Sequence, residues 1–125
     1  SLAVSIGNAH GLYKGIPHLN LPRLQEIYDA VRIPLVLHGC SGLPFDQLSK
    51  AIDIAITKIN VNTEIALAAS KAAKEVLNEE GSLLRFERVM SVVQDAMYDC
   101  MMPYINLCKN PSLTIKGPNQ LPQSS

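Results

Sequence analysis

"PLVLHGCSG", residues 34–42, sets an apolar run, Leu35-Val36-Leu37, directly against His38, and then places two glycines and a serine within four residues. The run follows Pro34 and is closed by glycine, so it reads as a short buried strand. The loop after it has very little side chain. Either that is ordinary tight turn chemistry, or the strand ends beside something that needs close approach of the backbone.

The flanking sequence repeats the arrangement. Leu2 to Ile6 is apolar and partly β-branched, ends at Gly7-Asn8, and reads as a strand; a Gly-, Pro- and His-rich loop follows to about Asn20. Leu21, Leu24, Ile27, Tyr28 and Val31 fall at helical spacing, with Asn20 as N-cap and Pro22 in the first turn. Pro44 to Ile54 reads as a second helix and Lys58 to Val61 as a third strand. Thr63 is placed to cap a long helix from Glu64 to about Glu79. After Gly81-Ser82, apolar positions from Phe86 to Cys108 predict another helix, which Pro103 should kink or end. From Asn110 the chain turns rich in Pro and Gly. We therefore expect a folded part over 1–109 and an irregular tail over 110–125.

Alternating strands and helices predict a parallel sheet with crossover helices, an α/β fold. The strand ends Gly7, Leu37 and Val61 are roughly 30 and 24 residues apart, close to the roughly 31 residues per unit of a (β/α)8 barrel. Three units make less than half of such a barrel. Composition fits this class. The chain has 125 residues, 47% of them hydrophobic, with 11 basic and 11 acidic side chains that cancel. No basic stripe points to nucleic acid, and no apolar run approaches the roughly 18 residues that span a membrane. The three cysteines, Cys40, Cys100 and Cys108, fit neither a disulfide framework nor a zinc knuckle, so a cytoplasmic location is expected.

In parallel α/β folds chemistry sits at the carboxyl ends of the strands. Here those ends supply Asn8, His10 and Gly11; then His38, Gly39, Cys40, Ser41 and Gly42; then Asn60, Val61, Asn62 and Thr63. His10 and His38 could meet on one ion, but a catalytic zinc needs about three protein ligands. Each histidine alone reads equally as a hydrogen-bonded loop or core residue. Gly39, Ser41 and Gly42, and the turn before the third helix, could turn backbone N–H groups toward a phosphate. Lys14 reads either as a phosphate partner or as a solvated surface lysine. Cys40 reads as a small buried filler, His18 as surface, and the methionines of residues 90–102 as a packing face.

Taken together, "SIGNAHGLYKG", "PLVLHGCSGLP" and "KINVNTEI" resemble, in this order and spacing, the class II zinc-dependent ketose-bisphosphate aldolases, over about Leu2 to Leu77. The resemblance implies the sixth to eighth strands of a (β/α)8 barrel. It makes His10 and His38 two of three zinc-ligating histidines. Gly11 and Lys14 would lie at the phosphate of dihydroxyacetone phosphate, with Gly39, Cys40 and Ser41 as the second wall of that site. Asn60, Val61, Asn62 and Thr63 would close it, with Asn60 as the catalytic side chain beside the enediolate. Some members also bind a monovalent cation through these loops. The implied mechanism is Lewis-acid stabilisation of an enediolate by zinc.

The catalytic aspartate of the family and its neighbouring zinc histidine lie in the first half of the barrel, to which nothing here corresponds; Asp29, Asp46 and Asp53 fall on helices and do not replace the aspartate. Asn62 stands where fructose-type members usually carry Asp and tagatose-type members Ala, so the substrate epimer is open. The expectation is the C-terminal part of an aldolase, inactive alone, that forms a homo-oligomer or pairs with a complementary chain. The alternatives are a non-catalytic phosphate-binding or oligomerising remnant of that fold, and an unrelated small α/β phosphate-binding protein.

Overall fold

A computed structural model describes residues 1–9, 15, 17–80 and 85–109. The order of elements is β1 (Leu2–Val4), α1 (Leu21–Val31), β2 (Leu35–Leu37), α2 (Phe45–Ile54), β3 (Ile56–Ile59), α3 (Thr63–Glu80) and α4 (Phe86–Lys109). His10, Gly11 and Lys14, and the expected tail over 110–125, lie outside the described residues.

The three strands form one parallel sheet in the order β1-β2-β3. Leu2, Ala3 and Val4 pair with Leu35, Val36 and Leu37, and β2 pairs in turn with β3, with an irregularity between Leu35 and Val36. The quoted strand is thus the centre of the sheet, and all three of its residues are buried, as in a parallel strand covered on both faces. β1 and β3 are only partly buried. The third strand starts and ends two residues earlier than its sequence suggests, at Ile56–Ile59. Ala55 at the end of α2 leads straight into it, and the Thr57 hydroxyl donates to the Leu35 carbonyl (3.1 Å), holding this end on β2.

The core joins Leu35 and Leu37 of β2 to Leu24 of α1, Leu48 and Ala51 of α2, and Tyr104 and Leu107 of α4. Helices α1 and α2 pack on each other, α2 packs on β3 and α4, and α3 runs against α4. The Asn20 side chain caps α1 by accepting from the Arg23 N–H (3.0 Å). Pro103 does not end α4, which runs on to Lys109. The hydrogen bond that proline removes is a local loss, and the turn beyond it carries the two residues of α4 that are buried in the core, Tyr104 and Leu107. The methionine face differs from its sequence reading: Met90 and Met97 are exposed, alongside Phe86, Tyr98 and Ile105.

Two predictions follow from this packing. Gly7 sits at φ +102°, and a Cβ there would lie 2.4 Å from the His18 backbone oxygen. Gly7→Ala should therefore destabilise the chain by about 2 kcal/mol or more in denaturant titration, since strain at such a φ alone costs about 1–3 kcal/mol. Burial pushes the Cys40 thiol up from 9.0 to about 11. The folded state holds that proton more tightly than the unfolded chain does. Stability should therefore hold below pH 9 and fall between pH 9 and about 11, and Cys40→Ala should flatten that part of the profile.

Candidate active site

The carboxyl ends of the three strands are stitched together by backbone and amide groups. Past β1, the Asn8 side chain accepts from the Ile6 N–H (2.8 Å) and donates to the His38 carbonyl (2.9 Å). Between β2 and β3, the Asn60 N–H donates to the Leu37 carbonyl (3.0 Å) and the Cys40 N–H to the Asn60 carbonyl (3.1 Å). These bonds continue the ladder past the last strand residues and fix where His38 leaves the sheet.

His38 is half-buried, and Asn60 lies against its ring. The Asn60 Nδ2 is 3.0 Å from the histidine Nδ1 and 3.3 Å from Nε2. The amide is oriented from its other side, where its oxygen accepts from the Lys58 ammonium (2.8 Å). An amide nitrogen only donates, and here it lies within reach of both ring nitrogens, so the contact places the amide on the His38 ring without selecting a tautomer. Lys58 thereby sets Asn60 against that ring.

Beyond His38 the chain turns through Gly39 and Gly42, at φ +63° and +79°, values that side chains other than glycine rarely adopt. Between them, Cys40 is fully buried and its thiol donates to the Leu37 carbonyl (3.2 Å). With the proton held by burial, this is a packing residue and not a nucleophile. Ser41 is buried too, and its hydroxyl accepts from the Asn62 N–H (3.3 Å) and the Glu64 N–H (3.4 Å). The start of α3 is thus capped from the neighbouring loop. Thr63, expected as the cap, is instead the first helical residue.

Glu64 returns the contact. Its carboxylate accepts from the Gly42 N–H (2.9 Å) and from the Tyr104 hydroxyl of α4. Burial, and then the adjacent carboxylate, push the Tyr104 hydroxyl well above its usual range. An apolar cavity of about 560 Å³ opens beside this corner, between Asn60 and Val61 and the Met101–Lys109 end of α4.

The structure thus brings His38, Gly39, Cys40, Ser41, Asn60, Val61, Asn62 and Thr63 to one corner of the sheet. Asp29 and Asp46 lie on the helices expected of them, paired with Arg32 (2.8 Å) and Lys50 (3.6 Å). Asn8, named at the end of the first strand, bridges to the His38 carbonyl; Glu64 and Tyr104 are not among the residues the sequence singles out. The only trace of Glu64 in the sequence was an acidic residue in the first turn of a helix, and Tyr104 stands 40 residues further on. Among the described residues no group of three His, Cys, Asp or Glu could hold a metal ion. His38 is one donor, and one imidazole does not make a zinc site.

Three solved structures are similar to this chain in fold. The YdjI aldolase from Escherichia coli K12 is 35% identical and superposes with a TM-score of 0.70, over 84% of this chain and 37% of its own. A candidate fructose-1,6-biphosphate aldolase from Coccidioides immitis is 29% identical, with a TM-score of 0.71 over 87% of this chain and 38% of its own. The fructose-bisphosphate aldolase of Campylobacter jejuni, at 20% identity and a TM-score of 0.56, shares the fold. This chain spans less than two fifths of the length of each. The family model of class II fructose-bisphosphate aldolase matches residues 1–111. With residues 1–111 matched to that model and 84% of its length superposed on an aldolase at 35% identity, the chain belongs to the class II fructose-bisphosphate aldolase family.

Proposed function

We propose that this chain is the C-terminal part of a class II ketose-bisphosphate aldolase barrel, about its sixth to eighth strands, with residues 1–109 as the barrel part and 110–125 as a tail. The parent reaction is reversible aldol cleavage of fructose- or tagatose-bisphosphate to dihydroxyacetone phosphate and glyceraldehyde 3-phosphate. The observation that supports it best is the placement of Asn60 against the ring of His38, between the turns that follow β2 and β3.

In this reading His38 and His10 are two donors of a zinc site whose remaining donor lies outside the chain. Asn60 donates its amide to the oxygen that gains charge as the substrate carbon loses its proton. Lys58 turns the amide for that task, as it does here. Gly39, Cys40 and Ser41 on one side, and Val61, Asn62 and Thr63 on the other, wall the phosphate of the triose, with Gly11 and Lys14 approaching from the first loop. Backbone carbonyls of the same loops could take a monovalent cation. Asn62 matches neither the Asp of fructose-type members nor the Ala of tagatose-type ones, so it fixes neither epimer. The aldolase works in the cytoplasm; among the described residues no helix is long and apolar enough to cross a membrane.

The chain alone is expected to be inactive, because the proton-transferring carboxylate and one metal ligand are not in it. Exposed Phe86 and Tyr98, at 72% and 62%, support assembly with a second copy or a complementary chain. The same exposure favours the second reading, a phosphate-binding or oligomerising remnant without catalysis.

The test has two arms. The purified 125-residue chain should show no turnover of either bisphosphate and well under one zinc per chain. Grafted onto the first part of the Campylobacter jejuni fructose-bisphosphate aldolase in place of its corresponding segment, it should restore cleavage. Asn60→Ala in that chimera should lower kcat by about 10²-fold or more, the usual cost of one oxyanion donor. Turnover by the isolated chain would refute the inactivity, and a folded chimera that cleaves neither bisphosphate would refute the aldolase reading.

A further inference from the structure

The contact between α4 and the α3 start has no part in the function proposed above. An acidic residue in the first turn of a helix ordinarily bonds N–H groups of its own helix. Glu64 does something else. One carboxylate oxygen reaches to the Gly42 N–H (2.9 Å), in the loop after β2, and the other is taken by the Tyr104 hydroxyl. Tyr104 is 4% exposed, and its ring lies 4.9 Å from that of Phe45, the first residue of α2. The phenol is therefore a fixed post, and the carboxylate bonded to it has a fixed distance and roll. Across the same gap the Ser41 hydroxyl accepts from the Asn62 and Glu64 N–H groups. The 39–42 loop and the first turn of α3 thus cap each other.

We infer that Glu64, oriented by Tyr104, is a positioning residue that holds the 39–42 loop against the start of α3, so that the backbone groups of both turns converge on one phosphate. This rests on the phosphate-site reading above. Recognition by backbone N–H groups tolerates little displacement, since each bond needs its donor within a few tenths of an ångström. A loop free to tilt would lose affinity without losing any ligand. The carboxylate acts through Gly42, not on the phosphate, whose charge it would repel. A glutamine should therefore replace it: the amide oxygen can accept from Gly42 and the amide nitrogen can donate to the Tyr104 oxygen.

The experiment is titration of inorganic phosphate into the ¹⁵N-labelled 125-residue chain, following the Gly42 and Ser41 amides. In the wild type these amides should respond to phosphate. Glu64→Leu should displace the Gly42 amide resonance and raise the phosphate Kd about fivefold, the size of one hydrogen bond. Tyr104→Phe should move the same resonance and raise Kd about threefold. Glu64→Gln should stay within about twofold of wild type, a rescue that a role in charge alone would not give. Wild-type affinity in Tyr104→Phe with an unmoved Gly42 amide overturns the inference, and so does a Glu64→Gln variant as weak as Glu64→Leu. If Glu64→Leu does not fold, the other two variants decide the matter. A wild-type chain that binds no phosphate overturns the phosphate-site reading and the inference with it; intact binding that none of the variants alters overturns the inference alone.

Discussion

The reciprocal capping between the loop after β2 and the start of α3 is the constraint on which this corner of the fold depends. The Ser41 hydroxyl takes two N–H groups at the start of α3, and Glu64 takes the N–H of Gly42. Each closes polar groups that a helix start or a glycine turn would otherwise turn to solvent or leave unsatisfied. Because Glu64 is also bonded to Tyr104, the long α3–α4 hairpin is tied to the sheet by a polar contact as well as by Tyr104 and Leu107 in the core. No buried side-chain nitrogen or oxygen among the described residues lacks a partner.

A parallel sheet collects function at one edge for a simple reason. All strands run the same way, so every chain leaves the sheet at the same end, and the loops there must share space. With strands of only three or four residues, the ladder has few bonds of its own, and the bonds past the strand ends matter more. Asn8 bridging to the His38 carbonyl, and Asn60 exchanging backbone bonds with Leu37 and Cys40, extend the sheet by a residue or two on each strand. The side chains that emerge at that level, His38 and Asn60, are held by the sheet and not by loop chance.

Much of this was legible in the sequence because local rules and tertiary structure agree. The central strand, the Asn20 cap, the parallel alternation and the loop glycines each follow from spacing or turn chemistry, and each stands in the structure. β3 lies two residues earlier than its sequence reading because Ile56 pairs with Leu35 and the Thr57 hydroxyl bonds the Leu35 carbonyl; Ile56 and Thr57 are themselves good strand formers. Pro103 reads as a kink or an end because propensity counts the lost hydrogen bond and cannot count the burial of Tyr104 and Leu107 beyond it. In the candidate site, the residues adjacent to strand ends were readable. Glu64 and Tyr104 were not, since a carboxylate in a first helical turn looks like any other until its partner arrives from 40 residues away.

The apolar surface tells a different story from the site. A helix that packs on one side should carry one apolar stripe and be polar elsewhere. Helix α4 buries Tyr104 and Leu107 in the core, yet exposes Phe86, Met90, Met97, Tyr98 and Ile105. On α3, Leu67 and Leu77 are exposed as well. A stripe left in water gains nothing from its apolar area, at roughly 25 cal/mol per Å² when buried, and natural surfaces rarely carry such contiguous patches without a partner. The edges of the sheet point the same way: β1 and β3 are partly exposed strands, each paired on one side only among the described residues. Among the described residues the buried polar side chains are all partnered, whereas the apolar flanks stay exposed. Exposed apolar positions on both helices, and two strands each paired on one side only among the described residues, are the features that further packed chain would bury.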